Sequence, residues 1–215
     1  MSSAESHRLT ILTTQEIDEL YGLPRFTEND RQLYFDLSAP ERAVVEVRTV
    51  SVGAYLALEL GYFKAKRQFF TFEQDDVLGD LRYLLERYFP GKTIDAIKLP
   101  SRPTRIANRQ TIVDLFDYRL CNGTANADLE QKAQRIAALS TQPLYILRES
   151  LQHLTNQRVV APQYSTLQDM IGRVVTHERN RVTRFLVESA SPFILQHLDS
   201  LLQADEQMYR ISALK

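Results

Sequence analysis

The chain has 215 residues, 44% of them hydrophobic and 25% charged, with a formal net charge of −1, enough for one large or two small domains that bury their own cores. Its one cysteine, Cys121, excludes an internal disulfide and fits a reducing cytoplasm. No apolar run approaches the roughly 18 residues a membrane span needs, and none near Met1 suggests a signal peptide. Charge is unevenly spread. Residues 1–60 carry five arginines against ten carboxylates, a net of −5, and residues 61–120 carry eleven cations against eight acids, a net of +3. Basic residues therefore gather in local patches rather than as a global excess.

The first helix is expected over Leu9 to Tyr21, opened by the capping box Thr13-Thr-Gln-Glu16 and closed by Gly22-Leu-Pro24. Glu28 to Phe35 suggests a short helix, and Ser38-Ala-Pro-Glu41 a further box introducing a helix to about Arg48. Val50 to Lys66 reads as a longer helix of ambiguous spacing. It runs into Phe63-Lys-Ala-Lys-Arg-Gln-Phe-Phe70, in which Lys64, Lys66 and Arg67 stand among aromatics without an acid. That block is either a phosphate-contacting helix end or a cationic C-terminus whose stems lie over aromatic neighbours.

Asp75 to Phe89 is amphipathic, with two acids where the helix dipole favours them, and Pro90-Gly91 stops it. Lys98, Arg102, Arg105 and Arg109 then follow around Pro100 and Pro103. A helix from Thr104 to about Phe116 sets Arg105 and Arg109 one turn apart, as a second basic patch or a solvated loop. Cys121-Asn-Gly-Thr-Ala-Asn-Ala is the expected linker, followed by a helix over Asp128 to Leu139.

The segment from Leu144 to Leu186 carries most of the functional signal. Leu144, Leu147, Leu151 and Leu154 mark a helix ending near Thr155. Arg158-Val-Val-Ala-Pro162 makes a corner too short for another element. Ser165 with Gln168 suggests a capping box that starts the next helix at Thr166. At about 100° per residue, Leu167, Ile171, Val174, Val175, Val182 and Phe185 share one side of it. Thr166, Arg173, His177, Asn180 and Arg184 share the other. Such a face either enters a duplex groove, with Arg on phosphate or guanine and Asn or Thr on base edges, or is merely solvated. Glu178 projects onto the apolar side, so either the helix bends there or Glu178 is paired with a buried cation. A last helix runs from Phe193 to about Leu202, and the pattern runs on through Ile211–Lys215 without a stop signal, which suggests a piece of a longer polypeptide.

No Gly-rich phosphate loop, serine nucleophile elbow or metal-ligand spacing is present, and Asp75 with Asp76 is explained by a helix start. No catalysis, cofactor or metal is expected. Without sustained strand alternation, the fold class is all-α and multi-helix.

Several blocks are similar to the N-terminal region of Tn-three family (class II, replicative) transposases. They are Leu12-Thr-Thr-Gln-Glu-Ile-Asp-Glu-Leu-Tyr-Gly22, Tyr62 to Phe70, Leu84-Leu-Glu-Arg-Tyr-Phe89, Thr104-Arg-Ile-Ala-Asn-Arg-Gln with Phe116-Asp-Tyr-Arg119, and Arg158-Val-Val-Ala-Pro-Gln-Tyr-Ser-Thr-Leu167. The last is the most specific. Many members also carry a Gly-Asp-His-Asn-Arg-Leu-Gly segment, for which Arg48 to Leu56 stands here. The resemblance implies two helix-turn-helix-like modules in tandem, drawn here as residues 8–121 and 127–215 with the helix-turn-helix near 144–186. It implies double-stranded DNA, the terminal inverted repeats, as partner, together with the remainder of the transposase chain. Homodimerisation of the full-length protein is left open. The acidic catalytic triad would lie downstream, and the setting would be a prokaryotic cytoplasm close to the nucleoid. Matched blocks carry over Lys64, Lys66, Arg67, Arg105, Asn108, Arg109, Arg158, Tyr164, Ser165, Thr166 and Gln168 as DNA contacts; Arg173, His177 and Arg184 rest on the helical projection. The rival expectation is a helical protein–protein interaction or dimerisation module without DNA contact.

Overall fold

The computed structural model describes residues 9–189, 191–202, 204–205 and 208–209, and over them the chain is all-α, with ten helices. Local chemistry sets the early helix starts. α1 (Thr14–Tyr21) and α2 (Glu28–Tyr34) begin at Thr13 and Thr27, whose hydroxyls accept from the N–H of Glu16 and Asp30. The two carboxylates accept in return from the threonine N–H groups, at 2.8 and 2.9 Å. Asp30 thus does the work expected of a Glu or Gln. α3 (Ala39–Glu46) has Pro40 in its first turn, and Glu41 accepts from the Ser38 N–H at 2.7 Å.

α4 (Val50–Lys66) is buried on every side from Gly53 to Phe63. Its ambiguous spacing follows from that, since a helix apolar all round has no solvated face to mark a period. α2, α3, α5 (Leu78–Tyr88, after a 3-10 turn at Asp75–Val77) and α6 (Arg102–Leu115) pack around it. The core they enclose is rich in aromatic rings, with Phe35, Tyr55, Tyr62 and Phe63 at most 1% exposed. Gly61 permits the close approach of the chain after α2, because a Cβ there would stand 2.2 Å from the Phe35 ring.

A second core is built by α7 (Gly123–Ala137), α8 (Pro143–Asn156) and α9 (Tyr164–Ser189), around Leu129, Ile146, Leu147, Leu154, Leu167 and Ile171. The start of the described chain belongs here too: Leu12 is buried in this core, with Leu9, Ile11, Ile17 and Tyr21 packed on it. Between the cores, β1 (Arg119–Leu120) pairs in parallel with β2 (Val159–Val160). Side chains alternate along a strand, so Val159 enters the second core and Val160 the first.

Two expectations about the connections need correction. The expected linker is largely helix: α7 starts at Gly123 (φ +46), leaving Cys121 and Asn122 as the connection. The corner after α8 holds β2, a strand of two residues with no periodicity to announce it. α10 (Pro192–Leu202) and an antiparallel pair, β3 (Ala204–Asp205) with β4 (Met208–Tyr209), complete the described residues; Ile211–Lys215 lie outside them. Among the described residues no helix is long and apolar enough to cross a membrane.

Candidate nucleic-acid interface

α9 has 26 residues in one unbroken helix, about 39 Å at 1.5 Å per residue. Leu167, Met170, Ile171, Val174, Val175 and Glu178 are buried along one side. Thr166, Arg173, His177, Asn180 and Arg184 are exposed along the opposite side. Arg173 stands 3.6 Å from Glu130 of α7, yet its side chain keeps 63% of its exposure.

Beyond Glu178 every residue to Ser189 is exposed, so the end of α9 leaves the body as an arm. Val182 and Phe185, expected to face inward, are 40% and 62% exposed. The physical reason is length: α7 and α8 have 15 and 14 residues and cannot cover a 26-residue neighbour. The helix does not break at Glu178. Its carboxylate, 7% exposed, accepts two hydrogen bonds from Arg181 one turn on, at 2.8 and 2.7 Å. Those bonds hold the carboxyl below its ordinary pKa. The partner cation reaches in from solvent rather than being buried.

The start of α9 is less open. The Tyr164 hydroxyl accepts from the Leu12 N–H at 3.1 Å, and Gln168 donates from Nε2 to the Leu9 carbonyl at 2.9 Å. Residues 9–12 therefore lie against the first turn. Gln168 is thereby drawn away from the expected capping box. α9 begins at Tyr164 instead, with the Gln163 carbonyl accepting from Thr166 and Leu167. Ser165 is half-buried; Thr166 is open.

Lys64, Lys66 and Arg109 of the first basic patches are spent inside the molecule, while Lys98 and Arg102 are exposed. Lys64 is paired with Glu41 at 2.9 Å and bonded to the Asp36 carbonyl. The Lys66 ammonium donates to the carbonyls of Glu19 and Gly22 at 2.9 and 2.8 Å, and burial lowers its pKa. Arg67 is exposed, in a left-handed conformation (φ +53) at the end of α4. Its guanidinium lies over the rings of Phe63, Phe116 and Tyr118 at 5.0–5.8 Å, so its stem covers apolar surface.

On α6, Asn108 is 1% exposed and so is turned inward rather than toward a ligand. Arg109 donates to the Phe70 carbonyl at 2.9 Å, lies over Phe69 and comes within 3.6 Å of Glu59, and Arg105 is half-buried. Glu59 is 5% exposed, and burial pushes its carboxyl up to about 7 against the pull of Arg109. Arg158, by contrast, is largely open (φ +50) and paired with Asp117 at 2.9 Å.

The structure therefore gathers Thr166, Arg173, His177 and Arg184 on one open face, commits Lys64, Lys66, Arg109 and Gln168 to internal hydrogen bonds and buries Asn108. Two exposed cations of the arm, Arg179 and Arg181, were missed. The run Arg179-Asn-Arg-Val-Thr-Arg184 is their signal in the sequence.

The family model described as a domain of unknown function (DUF4158) matches residues 11–174, which takes in the first core and nearly all of the second and ends within α9, short of the exposed arm. No curated protein matches the chain.

Proposed function

The chain belongs to the DUF4158 family, and from that premise we propose that it binds double-stranded DNA with sequence preference, as the non-catalytic part of a Tn-three family transposase that engages terminal inverted repeats. The observation that carries this proposal is the exposed row of Thr166, Arg173, His177, Asn180 and Arg184 along one straight helix, opposite its buried side. Arg and Asn are the side chains that fork onto guanine and adenine edges in a major groove. Arg179 and Arg158 are open and suited to backbone phosphate, which positions a protein without reading sequence.

Titration against labelled duplex at two salt concentrations tests it. A DNA binder loses affinity on a log–log slope of about −0.9 for each phosphate contact. Substituting Arg173→Ala should relax sequence preference by roughly 1–3 kcal/mol while leaving the melting temperature in place. Salt-independent or absent binding would sink the proposal. It would leave the second function, a helical protein–protein interaction module, for which the exposed Val182, Phe185 and Leu186 speak.

A further inference from the structure

The apolar side of α9 does not end where its neighbours do. Leu167, Ile171 and Val174 are at most 3% exposed, and the same stripe continues in Val182, Phe185 and Leu186, which are 40%, 62% and 52% exposed. A helix that presents such a row to water in an otherwise well-packed chain is built to meet another apolar surface.

Charge on the two flanks selects the partner. With about 100° between successive residues, Arg181 and Glu188 fall on one flank of the stripe, seven residues apart, and Arg179 falls on the other. In an antiparallel pair of identical helices, a two-fold axis across the seam brings like flanks together. Arg181 of one copy then faces Glu188 of the next, and the reverse pair forms on the other side of the axis. A parallel pair would instead set Arg181 against Arg179, like against like. Arg181 can serve both partners: its side chain is 58% exposed while it holds Glu178.

We propose that two copies of this chain associate through the Val182, Phe185 and Leu186 stripe of α9, antiparallel, with Arg181 and Glu188 as reciprocal ion pairs. Arg173 and Arg184 point away from that seam and stay open in the pair, while His177 borders the flank of Arg181 and Glu188. The association needs no DNA and is independent of the DNA-binding proposal.

Sedimentation equilibrium of the whole chain without DNA, from about 1 to 100 μM, tests it, a range that spans micromolar dissociation constants. Wild type should be dimeric at the upper end. Phe185→Glu should be monomeric throughout, with unchanged helicity and the melting temperature that wild type has at the dilute end, because the position is already in water in the single chain. Glu188→Arg should weaken the dimer about tenfold, as for a like charge placed against Arg181, and Glu188→Gln less. A wild type that stays monomeric to 100 μM, or a dimer indifferent to Phe185→Glu, overturns the seam. Indifference to Glu188→Arg overturns the antiparallel arrangement.

Discussion

The helices around α4 bury cations that those around α9 leave at the surface. In the first region several positive groups turn inward, to carboxylates and carbonyls: Arg31 to Asp80, Lys64 to Glu41, Arg109 to Glu59 and Phe70, while Arg42, Arg48, Arg82 and Lys98 stay exposed. In the second, Arg173, Arg179 and Arg184 stand in water on a helix longer than anything beside it. Both regions look alike as strings of Arg and Lys between apolar residues. The difference is whether an acid or a helix end lies across the fold, and only the folded chain shows that.

The contrast is easiest to break at Asp80. It is 6% exposed and accepts from Arg31 Nε at 2.8 Å and from the Tyr62 hydroxyl at 2.6 Å. Asp80→Ala strands a guanidinium and a buried hydroxyl, and should lower unfolding stability by about 3 kcal/mol in urea titration. Arg184→Ala, on the open arm, should stay within about 0.5 kcal/mol of wild type. Similar losses for the two variants would erase the distinction between the regions.

Next in size is the buried carboxylate on α4. Desolvation raises Glu59 from 4.5 in water to about 7 in the folded chain, so the folded state holds the proton more tightly than the unfolded one. Its stabilising effect is complete below about pH 4.5 and is lost as pH rises through 7. That is about 2–3 kcal/mol between pH 5 and pH 8. Glu178, Glu16 and Asp30, whose pKa values are lowered, are ionised in both states over most of that window and add only a small opposing slope near pH 5. Wild type should thus melt higher at pH 5 than at pH 8, and Glu59→Gln should flatten the difference. An unchanged slope in Glu59→Gln would assign the pH dependence elsewhere.

How much of this could be read beforehand differs by kind of signal. Helix starts set by adjacent residues were legible at Thr13 with Glu16 and at Pro40 in a first turn, whereas α6 starts at Arg102, two residues before the expected Thr104, and takes Pro103 into its first turn. The polar row of α9 was legible too, because periodicity is a local property. What escaped depended on distance along the chain. Gln168 suits a capping box by spacing, but the Leu9 carbonyl, 159 residues earlier, takes its amide. Val182 and Phe185 fit the apolar side in every respect except that nothing reaches them. Lys64 and Lys66 lie in a run free of acids, and their partners sit 23 to 47 residues earlier.

Lys66 gives the smallest effect and the finest test, because it joins the two regions. Its stem leaves α4 in the first core, and its ammonium donates to the carbonyls of Glu19 and Gly22 that end α1, an element packed on the second core. Read from sequence alone, Lys66→Ala should weaken binding to every duplex and flatten its salt dependence. From its position, Lys66→Met should instead free two carbonyls and lower stability by about 1–2 kcal/mol, with the salt slope of DNA binding unchanged. The amides of residues 14–22 should also exchange faster with solvent deuterium, since α1 loses its tie to α4. If Lys66→Met lost a phosphate's share of the salt slope while those amides kept their protection, this lysine would act with the arm on DNA. The two regions would then not divide their cations as their packing indicates.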